Sequence, residues 1–103
     1  MNADLSAVIE TLNARISEEI RGYAASRKKD VARGAETPEL AALLVEKYGS
    51  GLAKAAGFVA DLLDAPASDL LTDVNRLVLE IDPKAAENRD RRWQARPVGL
   101  TFG

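Results

Sequence analysis

Carboxylates are the plausible catalytic groups of this sequence, because the chain contains no histidine and no cysteine. Asp61 and Asp64 are three residues apart, and Asp69 and Asp73 are four apart, so each pair would share one face of a helix. Converging carboxylates could hold Mg²⁺, which prefers oxygen ligands. The competing interpretation is structural, since Asp69 lies at a predicted helix start, and Asp61 and Asp64 fit the solvated side of an amphipathic helix.

The structural interpretation is favoured, because no phosphate-binding loop, zinc-protease motif or nucleophile elbow accompanies these carboxylates. Without histidine or cysteine, imidazole bases and thiolate zinc sites are also excluded. We therefore predict a protein that is not an enzyme and that has no cofactor and no metal site. A carboxylate-bound Mg²⁺ stays open as a third hypothesis.

Basic residues are concentrated in two short blocks, although the net charge of the chain is −2. The segment between them, residues 35–82, has nine acidic and three basic residues and would repel nucleic-acid phosphates. The first block contains Arg27, Lys28, Lys29 and Arg33. The second block contains Arg89, Arg91, Arg92 and Arg96, with Trp93 among them.

Arginine beside an aromatic residue has two functional interpretations and one structural interpretation. It can hold phosphates and stack a base, but Trp and Arg are also the residues most enriched at the energetic centres of protein interfaces. A solvated helix end and a solvated tail would account for the same residues. We predict a protein interface formed by Arg89, Arg92, Trp93 and Arg96. Nucleic-acid binding through the blocks Arg27–Arg33 and Arg89–Arg96 is the alternative.

The last residues of the sequence predict an extended segment, because Val98, Leu100 and Phe102 alternate with small or polar residues. Such a segment can join the sheet of a partner or dock in an apolar groove, so these three residues complete the predicted partner-binding set. It can also fold back over its own helices or remain without a role.

Small residues recur in the middle of the chain, where Gly49, Ala53 and Gly57 are four residues apart. This spacing allows close contact with another helix, within the chain or across a subunit boundary. The same sequence region contains Gly49-Ser50-Gly51, which could form a turn or a kink within one longer helix. We interpret it as a break between two short helices.

The remaining pattern predicts an all-α protein. A long first helix begins at a cap on Asp4, has an apolar stripe from Leu5 to Tyr23 and ends at Gly34. Thr37-Pro38-Glu39 starts a second helix, and Ser68 or Asp69 caps a later one. Asp82-Pro83 opens a short polar helix by the same signal.

We therefore expect a small bundle of four to five helices over residues 1–94, with an extended basic C-terminal tail over residues 95–103. The predicted function is protein interaction, as an adaptor, assembly subunit, regulator or inhibitor such as bacteria and phages encode. We also expect a homo-oligomer, because the Leu5–Tyr23 stripe is longer than two short helices would cover. The N-terminus has no basic segment typical of a secretory signal, and no apolar run could span a membrane, so we expect a cytoplasmic location.

Overall fold

The computed structural model describes residues 3–66 and 68–88, and all regular structure in these residues is helical. The long helices are α1 (Ala3–Ala32), α2 (Pro38–Leu62) and α3 (Leu70–Ile81), and a short helix, α4, covers residues 85–88. For the described residues, the prediction of an all-α protein is confirmed. The predicted tail at 95–103 lies outside them.

The three long helices share one core. α1 and α2 are antiparallel, since Gly49 of α2 lies beside Ile20 of α1, and Tyr48 of α2 stacks on Tyr23 of α1 at a centroid distance of 4.3 Å. The largest fully buried side chains come from one helix each, namely Ile20, Val45 and Val74. Around them pack Ala24, Ala41, Ala42, Leu77, Val78, Ile81 and Ala85.

α1 ends at the predicted glycine. Gly34 has a φ of 77°, in the left-handed region that favours glycine, and its N–H donates to the Val31 carbonyl. The Ala35 N–H donates to the Asp30 carbonyl, so the two bonds form a Schellman motif. The predicted cap at Asp4 is wrong, because α1 already includes Ala3 and places Asp4 in the first turn.

The start of α2 confirms the Thr37-Pro38-Glu39 prediction. The Thr37 side chain accepts a hydrogen bond from the Leu40 N–H at 3.1 Å, Pro38 is the first helical residue, and Glu39 lies in the first turn. Proline fits this position because its missing N–H would have no partner inside the helix.

The predicted break at Gly49-Ser50-Gly51 is wrong, because α2 continues through these residues to Leu62. A glycine inside a helix costs only about 1 kcal/mol relative to alanine, which tertiary packing can offset. Gly49 is buried, and a Cβ atom built on it would lie 2.7 Å from Val74 Cγ2 and 3.4 Å from Ile20 Cγ2. The glycine therefore allows α2 to approach both neighbouring helices and does not end the helix.

The prediction of close helix contact is confirmed for most of the small residues. On the buried side of α2, Gly49 is followed by Ala53, Ala56 and Ala60, and all four are buried. Gly57 is different, since a Cβ atom there would meet nothing within 4 Å.

The chain turns after α2 and again after α3. Asp64 has a φ of 53°, and the Ala65 N–H donates to the Ala60 carbonyl, which forms a second Schellman motif. Asp69 occupies the N-cap position of α3, but its carboxylate accepts from the Thr72 hydroxyl and not from a backbone N–H. Asp82 opens α4 as predicted, and its carboxylate accepts from the Lys84 N–H.

The continuity of α2 also changes the reason for expecting a homo-oligomer. A single 25-residue helix runs beside α1, and Ile9 and Ile20 of the α1 stripe are buried. The unpartnered apolar surface of the described residues is instead mainly on α2.

Candidate protein-binding surface

α2 is apolar on two sides, and only one of them packs into the core. On the second side, Leu40 is 46% exposed, Phe58 is 61% exposed and Leu62 is 84% exposed. Half-buried Leu44 and exposed Gly51 and Ala55 lie between them on this side, together with exposed Lys47, which is three residues after Leu44 and four before Gly51. We name this surface the α2 outer stripe, and it consists of Leu40, Leu44, Gly51, Ala55, Phe58 and Leu62.

The helix repeat places these residues in one stripe. Leu40, Gly51 and Leu62 are 11 residues apart, which is about three helical turns. Phe58 and Leu62 are four apart and therefore neighbours on the helix surface. An amphipathic helix of a monomer usually carries polar residues opposite its buried face, so a second apolar side needs an explanation outside the core.

The neighbouring surface of α1 extends the apolar area. Val8 is 57% exposed and lies in a shallow depression together with Ala7, Thr11, Leu12 and Arg15. Since α1 and α2 are antiparallel and Ile20 lies beside Gly49, the first turns of α1 run beside the last turns of α2. Val8 thus lies toward the same end of the bundle as Phe58 and Leu62.

Side-chain contacts join α1 and α2 near the middle of α2. The Tyr48 hydroxyl donates to Glu19 Oε1 at 3.2 Å, and Arg27 lies over the Tyr23 ring at 5.6 Å from its centroid. Partial removal from water raises the pKa of Tyr48, and the Glu19 carboxylate raises it further. These contacts hold α2 in a fixed rotation about its axis, so the outer stripe keeps facing away from the core.

Most residues of the first basic block form ion pairs with acidic residues of the same chain. Arg27 forms ion pairs with Glu36 at 2.8 Å and with Asp30 at 2.7 Å. Lys28 lies 2.9 Å from Glu80, and its hydrogen bond to that carboxylate lowers the pKa of Glu80.

Arg33 pairs with Asp30, and this hydrogen bond holds the pKa of Asp30 below its ordinary value. Three of the four predicted nucleic-acid contacts therefore carry an intramolecular counter-charge, whereas Lys29 forms no ion pair with any residue that the structure describes. Nucleic-acid binding by this block stays a prediction.

Three of the four candidate catalytic carboxylates serve different local roles, and the fourth, Asp61, is exposed on α2. Asp73 lies 3.0 Å from Arg76 and 3.8 Å from Arg21, and Asp69 accepts the Thr72 hydroxyl. Asp64 is the left-handed residue after α2. Within residues 3–66 and 68–88, no three acidic side chains come close enough together to hold a metal ion.

The predicted partner-binding residues of the C-terminal segment lie outside the described residues. They are Arg89, Arg92, Trp93, Arg96, Val98, Leu100 and Phe102. Their role stays a prediction.

Comparison with protein-family models, with curated proteins and with solved structures finds no match to this chain. In the described part of the chain, no helix combines the length and apolar character that crossing a membrane requires. The cytoplasmic location stays a prediction. The function must therefore be inferred from the surface itself.

Sequence reasoning missed the α2 outer stripe as a candidate site. The predicted break places Leu40 and Leu44 on one helix and Phe58 and Leu62 on another, so the sequence does not indicate that the four share one helix surface. The signal was present, because the 11-residue spacing of Leu40, Gly51 and Leu62 is visible once the helix is taken as continuous.

Proposed function

We propose that this protein acts by binding a protein chain through the α2 outer stripe. The observation that carries the proposal is the exposure of Phe58 and Leu62, which are 61% and 84% exposed although they are neighbours one turn apart. Burying apolar surface contributes roughly 25 cal/mol per Å². A contiguous apolar patch on a folded surface is typical of an interaction site, whereas single exposed apolar residues are ordinary.

The mechanism is burial of a preformed helical surface. α2 is held by its packing against α1 and α3, so association does not have to order it first. Phe58 supplies a large aromatic side chain of the kind that anchors interfaces, and Leu62 extends the contact by one turn. A partner helix laid along the stripe would meet apolar positions about every three or four residues.

The C-terminal segment is a second contact in this proposal. Arg89, Arg92, Trp93 and Arg96 combine the residue types enriched at interface centres, and Val98, Leu100 and Phe102 supply an apolar edge. This element rests on the sequence alone. Replacing Trp93 with alanine should weaken binding if the segment takes part.

Site-specific photo-crosslinking tests the proposal. The photoreactive residue p-benzoylphenylalanine replaces Phe58 in the full chain, and a matched protein carries it at Asn75, an exposed position of α3. After irradiation in cells that express the protein, we expect adducts of defined mass from position 58 and none of comparable yield from position 75. Equal yields, or no adduct from position 58, would contradict the proposal.

A further inference from the structure

The large apolar residues of the α2 outer stripe are placed symmetrically along the helix. Going outward from Gly51, the next large apolar residues are seven positions away, at Leu44 and Phe58, and the last are eleven positions away, at Leu40 and Leu62. An interface between two identical chains related by a two-fold axis requires a surface that is complementary to itself. The four large residues of the stripe match their own reverse and meet this requirement when two copies pack antiparallel, while Ala55 then lies opposite the second copy's Lys47.

We propose that the occupant of the α2 outer stripe is a second copy of this chain, packed antiparallel with the two-fold axis at Gly51. This inference rests on the proposed function and names the partner. In this arrangement Leu40 lies opposite the second copy's Leu62, and Leu44 lies opposite the second copy's Phe58. Every large residue of the stripe is then buried against a large residue.

Gly51 supports the position of the axis. It is exposed, and a Cβ atom there would meet nothing within 4 Å, so the fold of one chain does not require a glycine at this position. A helix-interior glycine nevertheless costs about 1 kcal/mol relative to alanine. At the crossing point of two helices, the missing side chain lets the backbones approach closely.

Charged residues of α1 lie near the same axis. Gly49 lies beside Ile20, so Gly51, two residues further along the antiparallel helix, is level with Glu18. A two-fold axis at this level brings Arg15 to within roughly 3 Å, measured along the helix axis, of the second copy's Glu19, and it brings the two copies' Glu19 residues equally close to each other. Arg15 borders the Val8 depression, and Glu19 contacts Tyr48 at the edge of α2. Attractive Arg15–Glu19 pairs and a repulsive Glu19–Glu19 pair both lie near the axis, so the spacing of the stripe, and not these charges, favours the antiparallel orientation.

The arrangement predicts a charge-rescue experiment. Leu40→Glu and Leu62→Lys each place a charge opposite an apolar residue, while each charge also suits its own end of the α2 dipole. Sedimentation equilibrium at tens of micromolar, where a modest dimer is populated, then measures the mass of each protein. Circular dichroism checks that each variant is folded.

We expect wild-type protein to be a dimer, and each single variant to dissociate at least about tenfold more readily. An equimolar mixture of the two variants should return to the dimer mass, because the carboxylate introduced by Leu40→Glu in one chain then faces the ammonium group introduced by Leu62→Lys in the other. The matched control is Phe58→Glu/Leu62→Lys, in which both charges lie on one helix surface and find no partner across the axis. This control should remain monomeric.

Three results would overturn the dimer: a monomeric wild type, a dimer that neither substitution weakens, or a mixture that stays monomeric. These results differ from a failure of the proposed function. If the wild type is monomeric but position 58 still forms adducts with a different protein, the dimer is contradicted and the proposed function is supported. Absence of any adduct from position 58 would contradict both the dimer and the proposed function.

Discussion

Gly49 lies where α2 packs closely against both α1 and α3. Gly49→Ala would place a Cβ atom 2.7 Å from Val74 Cγ2 and 3.0 Å from its Cγ1. We expect a loss of about 1 to 3 kcal/mol in the free energy of unfolding, because core side chains must shift to accept the methyl group. Urea denaturation measures the change.

Gly57→Ala is the matched control for this prediction, because it makes the same change in the same helix with no neighbour within 4 Å of the new Cβ atom. It should raise the free energy of unfolding, by up to about 1 kcal/mol. Equal effects of the two substitutions would show that α2 is not packed closely at Gly49.

Asp64 adopts a backbone conformation that glycine would adopt more readily. Its φ of 53° lies in the left-handed region, and it occupies the position after α2 that usually holds glycine. We expect Asp64→Gly to raise the free energy of unfolding by roughly 0.5 to 1 kcal/mol. Thermal and urea denaturation check this, and Asp61→Gly, inside α2, should have the opposite sign.

Asp30 connects charge pairing to the pH dependence of stability. The Arg33 hydrogen bond holds the pKa of Asp30 below its ordinary value in the folded chain. A carboxyl group whose pKa is lower when folded contributes stability above its unfolded pKa, near 4, and this contribution disappears as the pH falls through the folded pKa.

Arg33→Ala should therefore raise the pKa of Asp30 toward its ordinary value and lower stability at neutral pH but not in strong acid. Titration of the Asp30 carboxyl carbon by NMR measures the pKa directly. Lys29→Ala serves as the control, since Lys29 is not among the residues that shift this pKa. An unchanged Asp30 pKa in the Arg33 variant would contradict the assignment.

At the scale of the helices, local chemistry predicts their ends better than their interiors. Gly34 and Thr37-Pro38 mark the end of α1 and the start of α2 because each meets a backbone requirement that a neighbouring residue cannot. The prediction for the interior of α2 was wrong at Gly49, because glycine occurs both in turns and in close helix contacts. The residue type alone does not separate these two cases. Only the positions of Val74 and Ile20 distinguish them.

The joint between α3 and α4 shows a second limit of sequence reasoning. Asp82-Pro83 predicted the start of the short helix, but Asp82 is also buried and accepts a hydrogen bond from Asn88 Nδ2 at 2.7 Å. Asn88 is buried as well, although the sequence predicts only a short polar helix after Asp82-Pro83. Its burial depends on α2, since both residues line a small cavity with Ala42 and Leu43.

At the scale of the whole molecule, the sequence predicts more apolar surface than the core of one chain can bury. It places this extra surface on α1, whereas the structure has it mainly on α2. The error followed from the broken α2, because two short helices could not cover the Leu5–Tyr23 stripe. A continuous α2 buries part of that stripe and exposes its own second side instead. The candidate site therefore depends on whether the helix breaks or continues at three residues, Gly49, Ser50 and Gly51.

The dimer arrangement makes a further prediction about Lys54. With the axis at Gly51, Lys54 and the second copy's Lys47 lie about one residue apart along the helix axis. Two like charges are therefore close together beside the stripe. Lys54→Glu should replace repulsion with attraction at two symmetric places and lower the dissociation constant about two- to tenfold. Analytical ultracentrifugation measures the constant. Weaker association of the Lys54 variant would contradict the register.

The central claim is that Phe58 and Leu62 serve association and not the folding of one chain. The most direct test is the unfolding free energy of wild type and of Phe58→Gln/Leu62→Gln, measured over a range of protein concentrations. At high dilution the two proteins should agree within about 0.5 kcal/mol, since both side chains are exposed. At higher concentration only the wild type should gain stability, through association. A variant that is less stable by more than about 2 kcal/mol even at high dilution would contradict the claim, because that loss is typical of buried side chains.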